Sequence, residues 1–298
     1  MYEQAVKRLL VSVGAEPDGR PVRVAGGWSA TSIWRVSLDG RPLVLRVFAP
    51  GEGSDADLEA VALTWGRERG LPVPAVVARN TVDGRSFLLL EWVEGRPLHE
   101  FVLAEAGHAR GYGEQFGRMQ ARLHGESGPP DLPDALDWPA REACPADLRA
   151  RLEELAADAC LLHLDFHPAN VLVDGGQIAG LIDWTNARCG DPRFDVARTH
   201  LLLRMMPRLV AVTAPELTDA VRAATPVFFE GWWDAYREAA GEPRDLAPFL
   251  AWAGYGMTFD LGRKPLDDMP AEARRGMDEL FVCLRRETDT SMMEAGLK

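Results

Sequence analysis

The segment from His163 to Asp183 restricts the possible folds of this chain more than any other stretch. It contains "HLDFHPANVLV", in which Asp165 is followed five residues later by Asn170. The continuation "NVLVDGGQIAGLIDW" predicts two short strands joined by a turn at Gly175-Gly176. Such a hairpin returns Asp183 to the beginning of its first strand, where Asn170 lies. The spacing therefore predicts two carboxylates and one amide at a single place.

The side chains that converge in this way all offer oxygen ligands. Hard oxygen donors suit Mg²⁺, which keeps several waters and takes the rest of its coordination shell from phosphates. A second interpretation is a metal-dependent hydrolase that uses His163, Asp165 and His167. Zinc and related metals usually require more nitrogen or sulfur ligands, and the other four histidines are scattered along the chain. The pattern favours magnesium and leaves the hydrolase as an alternative.

The first 92 residues predict a small sheet with one main helix. Apolar and polar residues alternate through "PVRVAGGWSATSIWRVSLDGRPLVLRVF", and "SLDGRP" interrupts the alternation as a hairpin turn. A helix is expected from about 55 to 69, and "LPVPAVVARN" and "SFLLLEWV" supply two more strands around Asp83-Gly84. After residue 93 the patterns become mostly helical. We expect an α+β chain with two lobes, 1–92 and 93–298, and a cofactor cleft between them.

The segment 163–195 resembles one family of enzymes. "HLDFHPANVLV" fits the pattern His-x-Asp-x-x-x-x-Asn of aminoglycoside-phosphotransferase-like and choline-kinase-like small-molecule kinases. "GLIDW" is similar to their metal-binding aspartate segment, and "GDPRFDVA" to the stretch that commonly follows. The resemblance extends roughly from 20 to 205. It implies a bilobal protein-kinase-like fold and a transfer of the γ-phosphoryl group of ATP to a hydroxyl of a small molecule.

The resemblance also implies roles for single residues. Asp165 would accept or orient the proton of the acceptor hydroxyl, and Asn170 and Asp183 would hold Mg²⁺ against the ATP phosphates. His163 and Asp195 would support the loop from behind. His167 would occupy a loop position that faces the nucleotide or the acceptor.

The nucleotide-binding residues implied in the first lobe fall into three groups. "AGGWSATSIW" would cover the phosphates with backbone N–H groups at Gly26, Gly27 and Ser29, although a plain hairpin turn is the alternative. Arg46 and Glu59 would form the cation–carboxylate pair of a kinase, with Arg where protein kinases carry Lys; an ordinary ion pair is the alternative. The main chain from Glu91 to Val93 would hold adenine. The sequence GxxxxGK[ST] is absent from the chain, which excludes a P-loop kinase.

Residues of the C-terminal helices are candidates for contacts with the acceptor. "FEGWWDAYREAAG" and "FLAWAGYGMTFDLG" contain Trp232, Tyr236 and Asp260, and in the family these helices help to build the acceptor pocket. The other interpretation of the aromatic residues is packing in the core. The acceptor could be like an aminoglycoside, an amino sugar or an amino alcohol. A nucleotide- or metabolite-binding module without catalysis, similar to a pseudokinase, is the alternative function.

Composition narrows the possible partners. The formal net charge is −12, and no basic run is present, which argues against nucleic acid and against anionic membranes. The acidic balance suits a cationic acceptor. No stretch approaches 18 apolar residues, so no membrane span is expected. Four widely separated cysteines and the absence of a signal peptide predict a cytoplasmic protein with free thiols, whose oligomeric state the sequence does not indicate.

Overall fold

The structure, a computed structural model, describes residues 2–24, 31–138, 144–157, 159–262 and 271–297. Its N-terminal part contains one five-stranded antiparallel sheet, in the order β1-β2-β3-β5-β4, and two helices. The elements in chain order are α1 (Tyr2–Val11), β1 (Val22–Val24), β2 (Ser32–Leu38), β3 (Arg41–Val47), α2 (Gly53–Glu68), β4 (Val76–Val82) and β5 (Arg85–Glu91).

Alternation along the strands lets the sheet bury both of its faces. Phe87 and Leu89 of β5 face α1, whereas the intervening Leu88 and Leu90 belong to the core that includes α2. The two hairpins turn at Asp39-Gly40 and Asp83-Gly84, where all four residues have positive φ. This backbone matches the right-handed twist of paired strands. Both hairpin turns were predicted from the sequence and are confirmed.

The C-terminal part is mostly helical. It contains β6 (Arg96–Pro97), α3 (Leu98–Ala104), α4 (Ala109–His124), α5 (Ala146–Leu155), β7 (Cys160–Leu162), β8 (Val171–Asp174), β9 (Gln177–Leu181), β10 (Arg188–Gly190), α6 (Pro192–Thr213), α7 (Thr218–Ala240), α8 (Ala247–Gly262) and α9 (Ala271–Glu294). The small antiparallel sheet followed by this larger helical part confirms the predicted α+β fold class. Within the described residues, no helix combines the length and the apolar character that crossing a bilayer requires.

Helices α4 and α7 approach each other unusually closely because α4 carries glycines at the contact. A Cβ atom at Gly113 would lie 2.2 Å from the carbonyl oxygen of Phe228, and one at Gly117 would lie 2.3 Å from that of Trp232. Only glycine permits this separation of the backbones. The pair of helices forms the base on which the 163–170 loop rests, since Phe166 packs on Phe116 at 4.3 Å between ring centroids.

One hydrophobic core runs from the sheet into the helical part, and it includes Phe48, Leu63, Phe116 and Trp184. The loop before β4 is also joined to the β8–β9 hairpin, because the Leu181 N–H donates to the Pro72 carbonyl at 2.7 Å. The division into two lobes at residue 92 stays a prediction.

Candidate active site

The 163–170 loop is anchored from below by the first turn of α6. That helix begins with Asp191 as its N-cap and Pro192 in the first turn, and the Asp191 carboxylate accepts from the Arg193 N–H at 2.9 Å. Asp195 follows, fully buried, and accepts from the Leu164 N–H at 2.8 Å and from the His163 N–H at 3.4 Å. A carboxylate inside the protein therefore fixes the backbone of the loop.

Leu164 has a backbone conformation that side chains rarely adopt, with φ at 56°. A buried residue of this kind persists only where its surroundings over-determine it. Asp195 holds its N–H group, and Arg198 Nε donates to its carbonyl at 3.1 Å. The strained bend turns the chain so that Asp165 leaves the core.

A buried chain of hydrogen bonds continues beyond Asp195. His124 Nε2 lies 3.0 Å from the Asp195 carboxylate, and His124 Nδ1 lies 2.8 Å from the Tyr236 hydroxyl. Burial opposes ionisation of Asp195, but the hydrogen bond and the charge of His124 outweigh burial and lower the pKa of Asp195. Asp195 therefore stays ionised in the interior and links α4, α6 and α7 to the loop.

Both ring nitrogens of His163 are used inside the fold. Nδ1 accepts from the Asp165 N–H at 3.3 Å, so the proton is on Nε2, which donates to the Ile182 carbonyl at 3.1 Å. Burial lowers the pKa of His163 and keeps the ring neutral. A metal could bind this histidine only after one of these bonds had broken, which opposes the hydrolase interpretation.

Asp165 and Asn170 face each other across the loop. Asn170 Nδ2 donates to the Asp165 carbonyl at 3.0 Å and to Asp165 Oδ2 at 3.2 Å. His167 Nδ1 accepts from the Ala169 N–H at 3.2 Å, so its proton lies on Nε2, which is 3.5 Å from Asp165 Oδ2. Burial raises the pKa of Asp165, but the attraction of His167 and of Arg198 outweighs burial and lowers it below its ordinary range.

The end of β9 brings Asp183 to the same place. The Ile182 N–H donates to the Asn170 carbonyl at 3.0 Å, which closes the hairpin beside the loop. Asp183 adopts a positive φ of 66°, and its Oδ1 atom accepts from Thr185 Oγ1 at 3.1 Å. The turn of the hairpin lies at Gly175-Gly176, as predicted, with positive φ at both residues.

Arg46 joins the sheet to this cluster. Its Nη1 lies 2.9 Å from Glu59 Oε1, and its Nη2 donates to Asp183 Oδ1 at 2.9 Å. Arg46 is 5% exposed and Glu59 is 1% exposed, so the pair is held away from water. Burial opposes ionisation of Asp183, but Arg46 outweighs it and lowers the pKa of that carboxyl. The predicted pairing of Arg46 and Glu59 thus extends to Asp183, which the sequence did not indicate.

Two of the other residues that were predicted to contact the nucleotide lie in the described part of the chain. Glu91 and Val93 follow the end of β5, where the Glu91 side chain accepts from Arg67 Nη1 at 2.9 Å and its backbone N–H donates to the Ala75 carbonyl at 2.9 Å. Val93 packs over Gly180, where a Cβ atom would lie 2.8 Å from Val93 Cγ1. Gly26, Gly27 and Ser29 lie outside the described residues.

The structure places the two aromatic candidates for the acceptor in the interior. Trp232 is fully buried and donates its indole N–H to Gln120 Oε1 at 2.8 Å. Tyr236 is buried as well, with its hydroxyl on His124. Neither side chain reaches a surface, because α7 turns this face toward α4; the expectation that they contact the acceptor is corrected in favour of packing.

Asp260 has a connection to the loop that was not foreseen. Its carboxylate accepts from Arg198 Nη2 at 3.1 Å, and Arg198 Nε holds the Leu164 carbonyl. Sequence reasoning missed Arg198 and His124. A helical spacing gives one usable signal, since Arg198 and Thr199 follow Asp195 by three and four residues and share its face. Thr199 Oγ1 donates to the Phe166 carbonyl at 3.0 Å.

Comparison with known proteins gives concordant matches. A model of the phosphotransferase enzyme family matches residues 21–141 and 126–249. A homoserine kinase of Pseudomonas aeruginosa is 33% identical over 195 residues, which cover 57% of this chain and 61% of that protein. The chain thus spans about three fifths of the length of this curated relative.

Solved structures share the fold over nearly the whole chain. A thermostable mutant of an aminoglycoside phosphotransferase, in a ternary complex with ADP and hygromycin B, has a TM-score of 0.61 at 16% identity and covers 99% of both chains. The macrolide 2'-phosphotransferase of Brachybacterium faecium has a TM-score of 0.53 at 21% identity and covers 93% of this chain and 98% of that one. At these identities the likeness shows the fold.

Proposed function

Because the chain belongs to the phosphotransferase enzyme family, we propose that it is a small-molecule kinase that moves the γ-phosphoryl group of ATP to a hydroxyl group of its acceptor. The observation that carries the proposal is the convergence of Asp165, Asn170 and Asp183 at the junction of the 163–170 loop and β9. Use of a nucleotide is supported by the structurally similar phosphotransferase that holds ADP.

The donor atoms of the cluster fit Mg²⁺. Asn170 uses its amide nitrogen to hold Asp165, which leaves its side-chain oxygen to accept a further ligand. Asp183 uses Oδ1 for Arg46 and Thr185, which leaves Oδ2. Two protein oxygens with the remainder from water and phosphate are what Mg²⁺ requires. When bound there, the ion would neutralise negative charge on the phosphates.

Asp165 is the proposed catalytic residue. Asn170 holds its Oδ2 atom, so the carboxylate has a fixed direction toward an acceptor hydroxyl. Since its lowered pKa makes it a weak base, we propose that it mainly orients the hydroxyl and takes the proton late in the transfer. Arg46 would keep Asp183 in place and present positive charge on the phosphate side.

The acceptor is proposed as a class. A hydroxylated small molecule agrees with the homoserine kinase that the chain resembles and with the antibiotic phosphotransferases that share the fold. We propose an acceptor like an amino alcohol, an amino sugar or an aminoglycoside, because the chain carries a net charge of −12. We also propose that the chain divides into two lobes at residue 92 and that the protein is cytoplasmic.

The decisive experiment is a screen for Mg²⁺-dependent ADP release over hydroxylated amines, amino sugars, hydroxy amino acids and antibiotics. With the best acceptor, Asp165→Asn should lower kcat by about 10²- to 10⁴-fold while nucleotide still binds. Asp278→Asn, an exposed change on α9, is the matched control and should turn over like the wild type.

Two results would contradict the proposal. Turnover by Asp165→Asn at the rate of the control would remove Asp165 from its role. Binding of ATP without ADP release from any acceptor would favour the alternative of an inactive nucleotide-binding module.

A further inference from the structure

A cavity of about 380 Å³ lies between α6 and α7, outside the proposed phosphotransfer site. This α6–α7 cavity is bounded by His200, Leu203, Arg204 and Pro207 on one helix and by Arg222, Thr225, Pro226 and Phe229 on the other. Its volume falls within the range of small-molecule pockets.

The inner wall of the α6–α7 cavity carries a buried polar atom. His200 Nδ1 is buried and has no hydrogen-bond partner within the part of the chain that the structure describes. The ring packs on Phe229, with 5.1 Å between centroids. Burial, assisted by the nearby Arg204, lowers the pKa of His200 to about 4, so the ring is neutral at physiological pH. Buried polar groups are normally paired, so the unpaired nitrogen of His200 sets this wall of the cavity apart from ordinary core packing.

Two prolines lie inside the helices that line the cavity. Pro207 lies within α6 and Pro226 within α7. Proline has no N–H, so the carbonyl groups of Leu203 and Arg222 lack the donor that an unbroken helix supplies four residues later. Both of these residues border the cavity.

Two guanidinium groups give the α6–α7 cavity its charge. Arg204 Nη2 binds Glu287 of α9 at 2.9 Å. Arg222 is exposed and has no ion-pair partner among the residues that the structure describes. Guanidinium groups bind carboxylate and phosphate in preference to neutral groups.

We propose that the α6–α7 cavity binds a small amphipathic anion, with an apolar body against Leu203 and Phe229 and one carboxylate or phosphate group on Arg222. The proposal goes beyond phosphotransfer, because it assigns a second small-molecule site. The two sites share a helix: Thr199, which precedes His200, donates to the Phe166 carbonyl in the 163–170 loop. An occupant would therefore touch the helix that supports the loop.

The test is calorimetric titration of the full chain with phenylacetate and with phenyl phosphate, and with 2-phenylethanol as a neutral molecule of similar size. We expect saturable binding of at least one anion and binding of the alcohol at least about tenfold weaker. Arg222→Gln should weaken the anion about tenfold. Arg208→Gln, an exposed change on α6 that does not line the cavity, should leave the affinity unchanged.

Two further experiments test whether the anion binds in the α6–α7 cavity and not elsewhere. Thr225→Trp should fill the half-buried wall and abolish binding, and thermal unfolding shows whether that variant is folded. Saturating ADP should not displace the anion, because the nucleotide belongs to the other site. Absence of saturable binding, equal affinities in the two arginine variants, or displacement by ADP would overturn the proposal.

Discussion

Replacing Arg46 by methionine tests how much the charge of Arg46 contributes to stability beside the buried carboxylate of Glu59. Methionine keeps an apolar stem of similar length but removes the charge that faces Glu59 and Asp183 at 2.9 Å. Glu59 is 1% exposed, so water cannot take the place of the guanidinium. Burial raises the pKa of Glu59 even beside Arg46, and without Arg46 it should rise further, so that Glu59 binds a proton.

The magnitude follows from the protonation of Glu59. Keeping a carboxyl of ordinary pKa near 4.3 protonated at pH 7 costs at most about 3.7 kcal/mol, which agrees with about 3–5 kcal/mol for breaking a buried ion pair. Because the pKa of wild-type Glu59 is already raised, most of that cost is present before the change, and protonation of Glu59 adds less than about 1 kcal/mol near pH 7. Asp183 also loses its partner, so we expect Arg46→Met to lose about 2–3 kcal/mol in total. A carboxyl whose folded pKa is raised loses stability as pH rises, so the deficit should grow with pH and shrink toward about pH 6.

Urea unfolding at about pH 6, 7 and 8 measures the loss. The double variant Arg46→Met with Glu59→Gln removes the carboxyl as well, and we expect it to be more stable than the single variant and to lose its pH dependence. The matched control is Arg67→Met, because Arg67 and Glu91 are also 2.9 Å apart but about half exposed. That control should lose at most about 1 kcal/mol.

Equal stability of the single and double variants at all three pH values would refute the argument. It would mean that Glu59 without Arg46 destabilises the fold no more than glutamine does at the same buried position.

Three further predictions concern packing, the loop and the cavity. Gly117→Ala should destabilise by about 1–3 kcal/mol in urea, because its Cβ would lie 2.3 Å from the Trp232 carbonyl oxygen, whereas Gly111→Ala, with open space around it, should be neutral or slightly stabilising. Asp195→Asn should lower kcat and free energy of unfolding; since the folded pKa of Asp195 is lowered, the stability advantage of the wild type should be present above about pH 4 and disappear as pH falls further. The wild type should lose up to about 3 kcal/mol as pH falls from about 6.5 to 4, because the pKa of the half-buried His200 is lowered to about 4 while the unfolded chain takes up the proton; His200→Asn should lack this loss. Parallel wild-type and Asn curves in thermal unfolding would contradict the last prediction.

The sequence by itself determined the local parts of the protein. The hairpin turns at Asp83-Gly84 and Gly175-Gly176 were predictable because their residues accept positive φ, and strand alternation predicted the small sheet of the first 92 residues. The spacing of Asp165, Asn170 and Asp183 depends on one loop and one hairpin, so it predicted their convergence before any tertiary contact was known.

Only the tertiary structure decided what lies far apart in the chain. Arg46 meets Asp183 across 137 residues, a contact that depends on how the sheet lies against the β8–β9 hairpin. Trp232 and Tyr236 are residue types that are common at binding surfaces, yet the close approach of α4 and α7 buries them. The α6–α7 cavity likewise depends on the packing of two helices. Periodicity shows that a side chain belongs to a face, whereas the partner of that face is chosen by packing over the whole molecule.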